Sequence, residues 1–182
     1  MKAKKKKKQV KSYLVFTLED EQFAINVKKV ISIEKMKDIT PVPKSDKHMK
    51  GIMNLRGEII PVIDSHVKFG LSGFNFTMKS GILILDIKWS AYETIKLGFT
   101  VDKINEVIQI PTNKILPPPE IGDSYKSKYV TGVYQKKTDS DLIMLLDIEK
   151  ALSINELFIL DKINEDKNQM AAHESNKLLE QI

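Results

Sequence analysis

Three histidines, His48, His66 and His173, and the run Asp64-Ser65-His66 are where catalytic chemistry would have to begin in this chain. Acyl-transfer hydrolysis needs a hydroxyl, a base and an orienting carboxylate converging on one point. Asp64-Ser65-His66 supplies all three residue types, but as immediate neighbours, and neighbours in a strand face opposite sides. Asp64 and His66 are the pair that a hydrolase built on this chain would use. No two histidines have metal-ligand spacing. The absence of cysteine removes thiolate metal sites, a thiol nucleophile and disulfides. Gly70-x-x-Gly73 lacks the third glycine and the strand-to-helix setting of a dinucleotide loop. No Walker-type loop is present. The sequence therefore predicts no catalytic residues, no metal and no cofactor, and points to a binding module.

The informative segment is Lys50-Gly51-Ile52-Met53-Asn54-Leu55-Arg56-Gly57-Glu58-Ile59-Ile60-Pro61-Val62-Ile63-Asp64, which reads as strand, tight turn, strand. Gly57 can take the positive φ that such a turn needs. Arg56 is the only arginine among 29 Lys and Arg side chains. A chain that otherwise uses lysine for charge places its one planar, multi-donor guanidinium at a hairpin tip, where lysine could not supply the same fork. The alternative is a structural arginine that ties the turn to a carbonyl.

The elements that must position this hairpin are short strands. Tyr13 to Leu18, Phe23 to Val27, Ile52 to Leu55, Glu58 to Asp64, Gly81 to Ile87, Ile95 to Val101, Ile104 to Ile110, Tyr129 to Tyr134 and Leu142 to Asp147 are rich in β-branched, aromatic and alternating apolar residues. Pro41, Pro43, Pro111 and Pro117 to Pro119 punctuate them. The pattern predicts small barrels or a sandwich. The two halves repeat one another: Ile25, Val27, Val30 and Ile33 match Phe99, Val101, Ile104 and Val107. Thr40 and Pro41 match Leu116 and Pro117, Gly51 matches Gly132, and Ile59 to Asp64 match Leu142 to Asp147. Two units of about 60 residues each are too small to be robust alone, so they should share a core or exchange strands. After them, Ser153 to Glu156 fits a capping box, and Leu157, Leu160 and Ile163 fit one helical face. Residues 164–182 are polar.

The net charge of +5 is unevenly placed. Residues 1–11 hold seven lysines and no acid; the remainder has 22 basic against 24 acidic residues. The default reading of residues 1–12 is a solvated, disordered arm, in preference to a nucleic-acid or lipid contact. A nucleic-acid-binding small barrel with this arm on phosphates is the alternative binding class. The acidic body and scarcity of aromatics oppose it. No apolar run approaches the roughly 20 residues that span a bilayer. Glu19, Asp20 and Glu21 also arrive too early for a secretory signal.

The strand-turn-strand segment also carries a resemblance. Leu14 to Leu18, Phe23 to Val27 with Val30, Ile39-Thr40-Pro41-Val42-Pro43, and above all Gly51-Ile52-Met53-Asn54-Leu55-Arg56-Gly57 with Ile59-Ile60-Pro61-Val62-Ile63-Asp64 resemble the CheW family of chemotaxis coupling proteins. Gly98 to Asp102, Ile115 to Pro119, Tyr129 to Val133 and Leu142 to Lys150 continue the match in order. The resemblance implies an all-β fold of two intertwined five-stranded SH3-like β-barrels with a C-terminal helix. The domain would cover residues 13–160, between a Lys-rich tail (1–12) and a helix end with C-terminal tail (161–182). It implies a non-catalytic adaptor between the regulatory domain of the histidine kinase CheA and the cytoplasmic tips of chemoreceptors. Such a protein would be cytoplasmic, recruited to receptor arrays at the inner face of the membrane, with no nucleic-acid partner and no direct membrane insertion. The receptor-facing groove would include Val30, Gly51, Asn54, Leu55, Arg56 and Gly57, with Val101 from the other unit. Ser65-His66 stand where the family usually has Leu-Arg, and Ile31-Ser32 precede Glu34 where an acid commonly comes sooner. Both departures bear on partner choice rather than fold.

Overall fold

Apolar runs bounded by charged or glycine-bearing turns produce ten strands among the described residues. In a computed structural model, residues 9–72, 76–88, 94–118, 128–136 and 142–152 are described. The strands are β1 (Val10–Leu18), β2 (Glu21–Asn26), β3 (Val30–Lys35), β4 (Met49–Leu55) and β5 (Glu58–Ile63), followed by β6 (Gly81–Lys88), β7 (Thr94–Val101), β8 (Lys103–Pro111), β9 (Val130–Gln135) and β10 (Leu142–Leu146). Two short helices, α1 (Ser65–Phe69) and α2 (Ile148–Ala151), and two 3-10 turns, Val27–Lys29 and Thr112–Lys114, complete them. The helix expected from Ser153 onward, the tail after it and the lysine run before Gln9 lie outside the described residues. β1 begins inside the segment expected to be a disordered tail: Val10, Lys11 and Ser12 pair with Pro111, Ile110 and Gln109.

The strands form two five-stranded sheets, ordered β8-β1-β2-β10-β9 and β3-β6-β7-β5-β4. Substituting each strand of the first by its repeat counterpart reproduces the second. The parallel pairs correspond as well, β10 with β2 and β5 with β7. The repeat seen in the sequence is therefore split in space. The first two strands of each unit join the last three strands of the other, so neither unit can close a sheet alone. Exchange, anticipated from the small size of each unit, is how the fold gains one large core.

Period-two alternation builds that core and two smaller ones. Tyr13 and Val15 of β1 turn into a cluster with Ala24, Ile110, Ile143 and Leu145 inside the first sheet. Ile82 and Ile84 of β6 turn into one with Met53, Ile60 and Val62 inside the second. The intervening residues, Leu14, Phe16 and Leu18 from β1 and Leu83, Leu85 and Ile87 from β6, face one another between the sheets. Each sheet thus curls round its own apolar filling, as in a small SH3-like barrel, and the backs of the two pack together. Four phenylalanines hold the seam: Phe16 stacks on Phe23, Phe23 on Phe69, and Phe99 meets Phe16 and Phe69 edge-on, at centroid distances of 6.0 to 6.3 Å.

Candidate partner-docking site

Leu55 pairs directly with Glu58, leaving Arg56 and Gly57 as a two-residue hairpin loop. Both have positive φ, 55° and 89°, the combination required by a type I′ turn and matched to the twist of the flanking strands. Asn54 reinforces the turn, its Oδ1 accepting the Gly57 N–H at 2.9 Å. Asn54, Arg56 and Gly57 are exposed, whereas Leu55 is half-buried against the cluster of Met53, Ile60 and Val62, as are Met36 and Ile39. A side chain other than glycine or asparagine at positive φ is uncommon. Here it is the sole arginine.

Beside the tip lies charge from the far edge of the same sheet. The Lys37 ammonium hydrogen-bonds Glu34 at 3.2 Å and holds its carboxyl below the usual carboxylate range. Partial burial opposes this, while the Ser32 hydroxyl and the positive charges of Lys37 and Arg56 add to the lowering. On the other flank Lys96 of β7 is ion-paired with Glu58. The hairpin tip thus presents an exposed guanidinium, on a defined turn, beside two matched charge pairs.

The other expected residues divide. Val30 opens β3, half-buried, and packs against the central core. Gly51 is buried and structural: a Cβ there would stand 2.3 Å from the Thr40 carbonyl oxygen, and its φ is 147°. The glycine lets the Ile39 to Pro43 loop lie on β4, where Thr40 and Ile52 exchange hydrogen bonds of 2.8 and 2.9 Å. Val101 has no exposed surface, being part of the core between the sheets. Its register beside Gly81 and beyond Phe99 puts it at the opposite end of the sheet from the tip. It can shape the site only through the packing.

Two exposed apolar residues on the opposite edge strand were not anticipated. β3 has an inverted pattern: Ser32 and Glu34 are half-buried, while Ile31 and Ile33 face out with 48% and 47% of their surface exposed. β3 is an edge strand paired only with β6. The signal was available, because apolar residues at 30, 31 and 33 cannot all share one face of a strand.

The segment offered as a hydrolase is structural, for a reason different from the one expected. Residues 65–69 are helix, not strand, and Asp64 is the cap: its carboxylate accepts the N–H groups of His66 and Val67 at 3.0 and 3.3 Å and a Lys50 hydrogen bond at 2.7 Å. The Ser65 hydroxyl is buried against Thr100 Oγ1 at 3.3 Å. The His66 ring, 3% exposed as a residue, donates from Nδ1 to the Ser72 carbonyl at 2.6 Å. Its Nε2 lies 3.0 and 2.9 Å from the two Asp102 oxygens. Nucleophile and base never meet. Among the described residues no group of three or more His, Asp or Glu side chains could hold a metal ion.

A paired-barrel scaffold whose Asp64, Ser65 and His66 side chains serve the packing, and which presents an exposed charged hairpin tip, defines a protein-binding module. The chain belongs to the CheW family: residues 12–156 match its CheW-like domain. It is similar to the chemotaxis protein CheW of Klebsiella aerogenes, 30% identical over 151 residues that cover 83% of this chain and 87% of that protein. The chemotaxis protein CheW of Treponema pallidum is 33% identical over 150 residues, 79% of this chain and 83% of that protein. Among solved structures, the scaffolding protein TtCheW from Thermoanaerobacter tengcongensis superposes with a TM-score of 0.70 and 31% identity, covering 81% of this chain and 96% of that one.

Proposed function

We propose that this protein is a non-catalytic chemotaxis adaptor that couples the cytoplasmic tips of chemoreceptors to the histidine kinase CheA. It would act in the cytoplasm and be recruited to receptor arrays at the inner face of the membrane. Family membership supports the scaffold class. The observation that carries the receptor contact is the Asn54-Leu55-Arg56-Gly57 tip, where a guanidinium is held in a rigid positive-φ turn beside half-buried apolar surface. A receptor tip built as a helical hairpin would meet an apolar floor at Leu55 and Val30 and a polar clamp at Arg56.

The exposed Ile31 and Ile33 row on β3 is a separate surface, and an adaptor needs two. Apolar side chains on an unpaired strand edge fit docking of another β domain, such as the regulatory domain of the kinase. Each contact need only be modest, since assembly into an array multiplies affinity through effective concentration. The test is reconstitution: a CheA-type kinase and receptor tips are assayed with and without this chain. Receptor-dependent control of autophosphorylation that appears only when the chain is present supports the reading. A kinase indifferent to the chain discards it.

A further inference from the structure

Both ring nitrogens of His66 face acceptors. The Ser72 carbonyl oxygen lies 2.6 Å from Nδ1, and the two Asp102 carboxylate oxygens lie 3.0 and 2.9 Å from Nε2. Neither a carbonyl nor a carboxylate has a proton to give, so both bonds are made only by a ring that carries a proton on each nitrogen. The arrangement continues past the ring. Asp102 accepts the Glu19 N–H at 2.6 Å, and the Glu19 carboxylate accepts the Ser72 N–H at 2.8 Å and the Ser72 hydroxyl. His66, Asp102, Glu19 and Ser72 thus close a circuit of hydrogen bonds. It joins α1, which follows β5 of the second sheet, to the β1–β2 turn of the first and to the turn between β7 and β8. The charges about the ring are acidic: Asp102, Glu19 through Ser72, and Asp64 at the cap of the ring's own helix. The cations of this helix and its cap are turned to other groups, Lys50 to Asp64 and Lys68 to the face of Tyr129.

We infer that this circuit is a pH-sensitive lock between the two sheets. Histidine is the side chain whose charge ordinarily changes between about pH 5 and pH 8. When the ring gives up a proton, the lone pair of Nε2 faces the Asp102 oxygens, and a hydrogen bond becomes a repulsion. Asp102 and Ser72 are then held less firmly, and Glu19 with them. The stabilisation is complete while the ring is charged and is lost as the pH rises. The clasp on the other repeat, Lys29 with Glu149, is built from residue types that keep their charge across this range. Rising pH therefore loosens one clasp and leaves the other tied.

The test uses the full chain and two readings. Nitrogen NMR of the imidazole rings, with the His66 signals assigned by their loss in His66→Gln, should show a proton on each His66 nitrogen in mild acid and on one alone by about pH 9. The second reading is the melting profile of Asp102→Asn beside that of the parent. The asparagine oxygen still accepts the Glu19 N–H, and its amide donates to a bare ring nitrogen, so the circuit closes round an uncharged ring. Between about pH 5.5 and about pH 9 the parent's melting midpoint should fall by at least about 3 °C relative to Asp102→Asn. A His66 ring with a single proton in mild acid overturns the inference. So does a ring that keeps both protons throughout, which would make the clasp a permanent ion pair. Parallel melting profiles for the parent and Asp102→Asn overturn it as well.

Discussion

Glu149 on α2 stands where His66 stands on α1, and each reaches across to the other repeat, His66 to a carboxylate and Glu149 to a lysine. His66 meets Asp102 at 2.9 Å, in the turn after β7, and Glu149 meets Lys29, in the turn after β2. Each helix follows the last strand of its own unit and clasps the turn that leaves the second strand of the other. The two clasps differ in depth: the His66 side chain is 4% exposed, whereas Lys29 and Glu149 are 30% and 33% exposed. His66→Ala should therefore cost about 2–3 kcal/mol, because it leaves a cavity at a buried position and removes one donor from the Ser72 carbonyl and one from the Asp102 carboxylate, which keeps the Glu19 N–H. Lys29→Ala should cost no more than about 1 kcal/mol, being screened by solvent. Urea denaturation of both variants measures the difference; equal losses would refute the depth argument.

Glu149 sets a pH dependence. Burial pushes its carboxyl up, but the Lys29 hydrogen bond, the Lys88 N–H at 3.1 Å and the charges of both lysines outweigh this and hold it below the usual range. Its folded-state pKa thus lies below that of the unfolded chain. The stabilisation is present above the ordinary carboxylate range and is lost as pH falls through the depressed value. Glu149→Gln should be less stable than the parent at neutral pH, by up to about 1 kcal/mol. The gap should close as the solution is acidified below the carboxylate range. Melting curves across pH check this, and a gap that widens in acid would contradict it.

Glycines at the two strap crossings should tolerate nothing larger. A Cβ at Gly51 would lie 2.3 Å from a backbone oxygen. At the repeat counterpart, Gly132, it would lie 2.4 Å from Ile115 Cγ2 and 3.0 Å from the Leu116 oxygen. At Gly57 a Cβ meets nothing within 4 Å, and only the positive φ of 89° resists it. Gly51→Ala should cost about 2–4 kcal/mol and Gly57→Ala about 1 kcal/mol. Denaturant midpoints would rank them, and parity between the two would refute the close-approach argument.

What the sequence disclosed was whatever a local period or a repeated word could encode. Runs rich in apolar, β-branched and aromatic residues over 13–18 and 81–87 marked β1 and β6, alternation at Phe23, Ile25 and Val27 marked β2, and the matched loops at Thr40 and Leu116 correspond to real bridges, Thr40 with Ile52 and Leu116 with Val133. The repeat pointed to a shared core or exchanged strands, and the fold has both. It did not disclose α1, because Asp64 reads as the end of a strand until its carboxylate is seen capping His66 and Val67. Nor could it locate Val101 in the core, since an apolar residue ending a strand is equally compatible with a groove. For Arg56, composition supplied the signal and the backbone supplied the geometry. Glu34, on β3 and distant in sequence from the β4–β5 hairpin, comes beside the tip only because the sheet curls.

The Ile31 and Ile33 row should behave as surface and not as core. Ile31 and Ile33 are 48% and 47% exposed, so Ile31→Asp or Ile33→Asp should cost no more than about 1 kcal/mol. Binding to the kinase regulatory domain should fall at least about tenfold if β3 is that surface. Calorimetric titration against the isolated regulatory domain, with a melting curve for each variant, reads both quantities. Intact binding would move the kinase contact elsewhere, and loss of fold would place these side chains inside.

Arg56 separates a functional from a structural tip. Its φ of 55° is a conformation that asparagine tolerates better, and Asn-Gly is the pair that type I′ turns favour. If arginine is kept there for the turn, Arg56→Asn should change nothing that binds. If it is kept for its donor fork, the substitution should stabilise the hairpin, by up to about 1 kcal/mol, while weakening capture of receptor tips. The loss should be tenfold or more, about 1.4 kcal/mol, because asparagine cannot reach or fork in the same way. Arg56→Lys keeps the charge and should recover only part of the binding. A pull-down with receptor tips beside a denaturation curve therefore gives two readings with opposite signs. A variant that is both less stable and weaker in binding would instead make Arg56 a prop for the turn, and the clamp would have to be sought on β3.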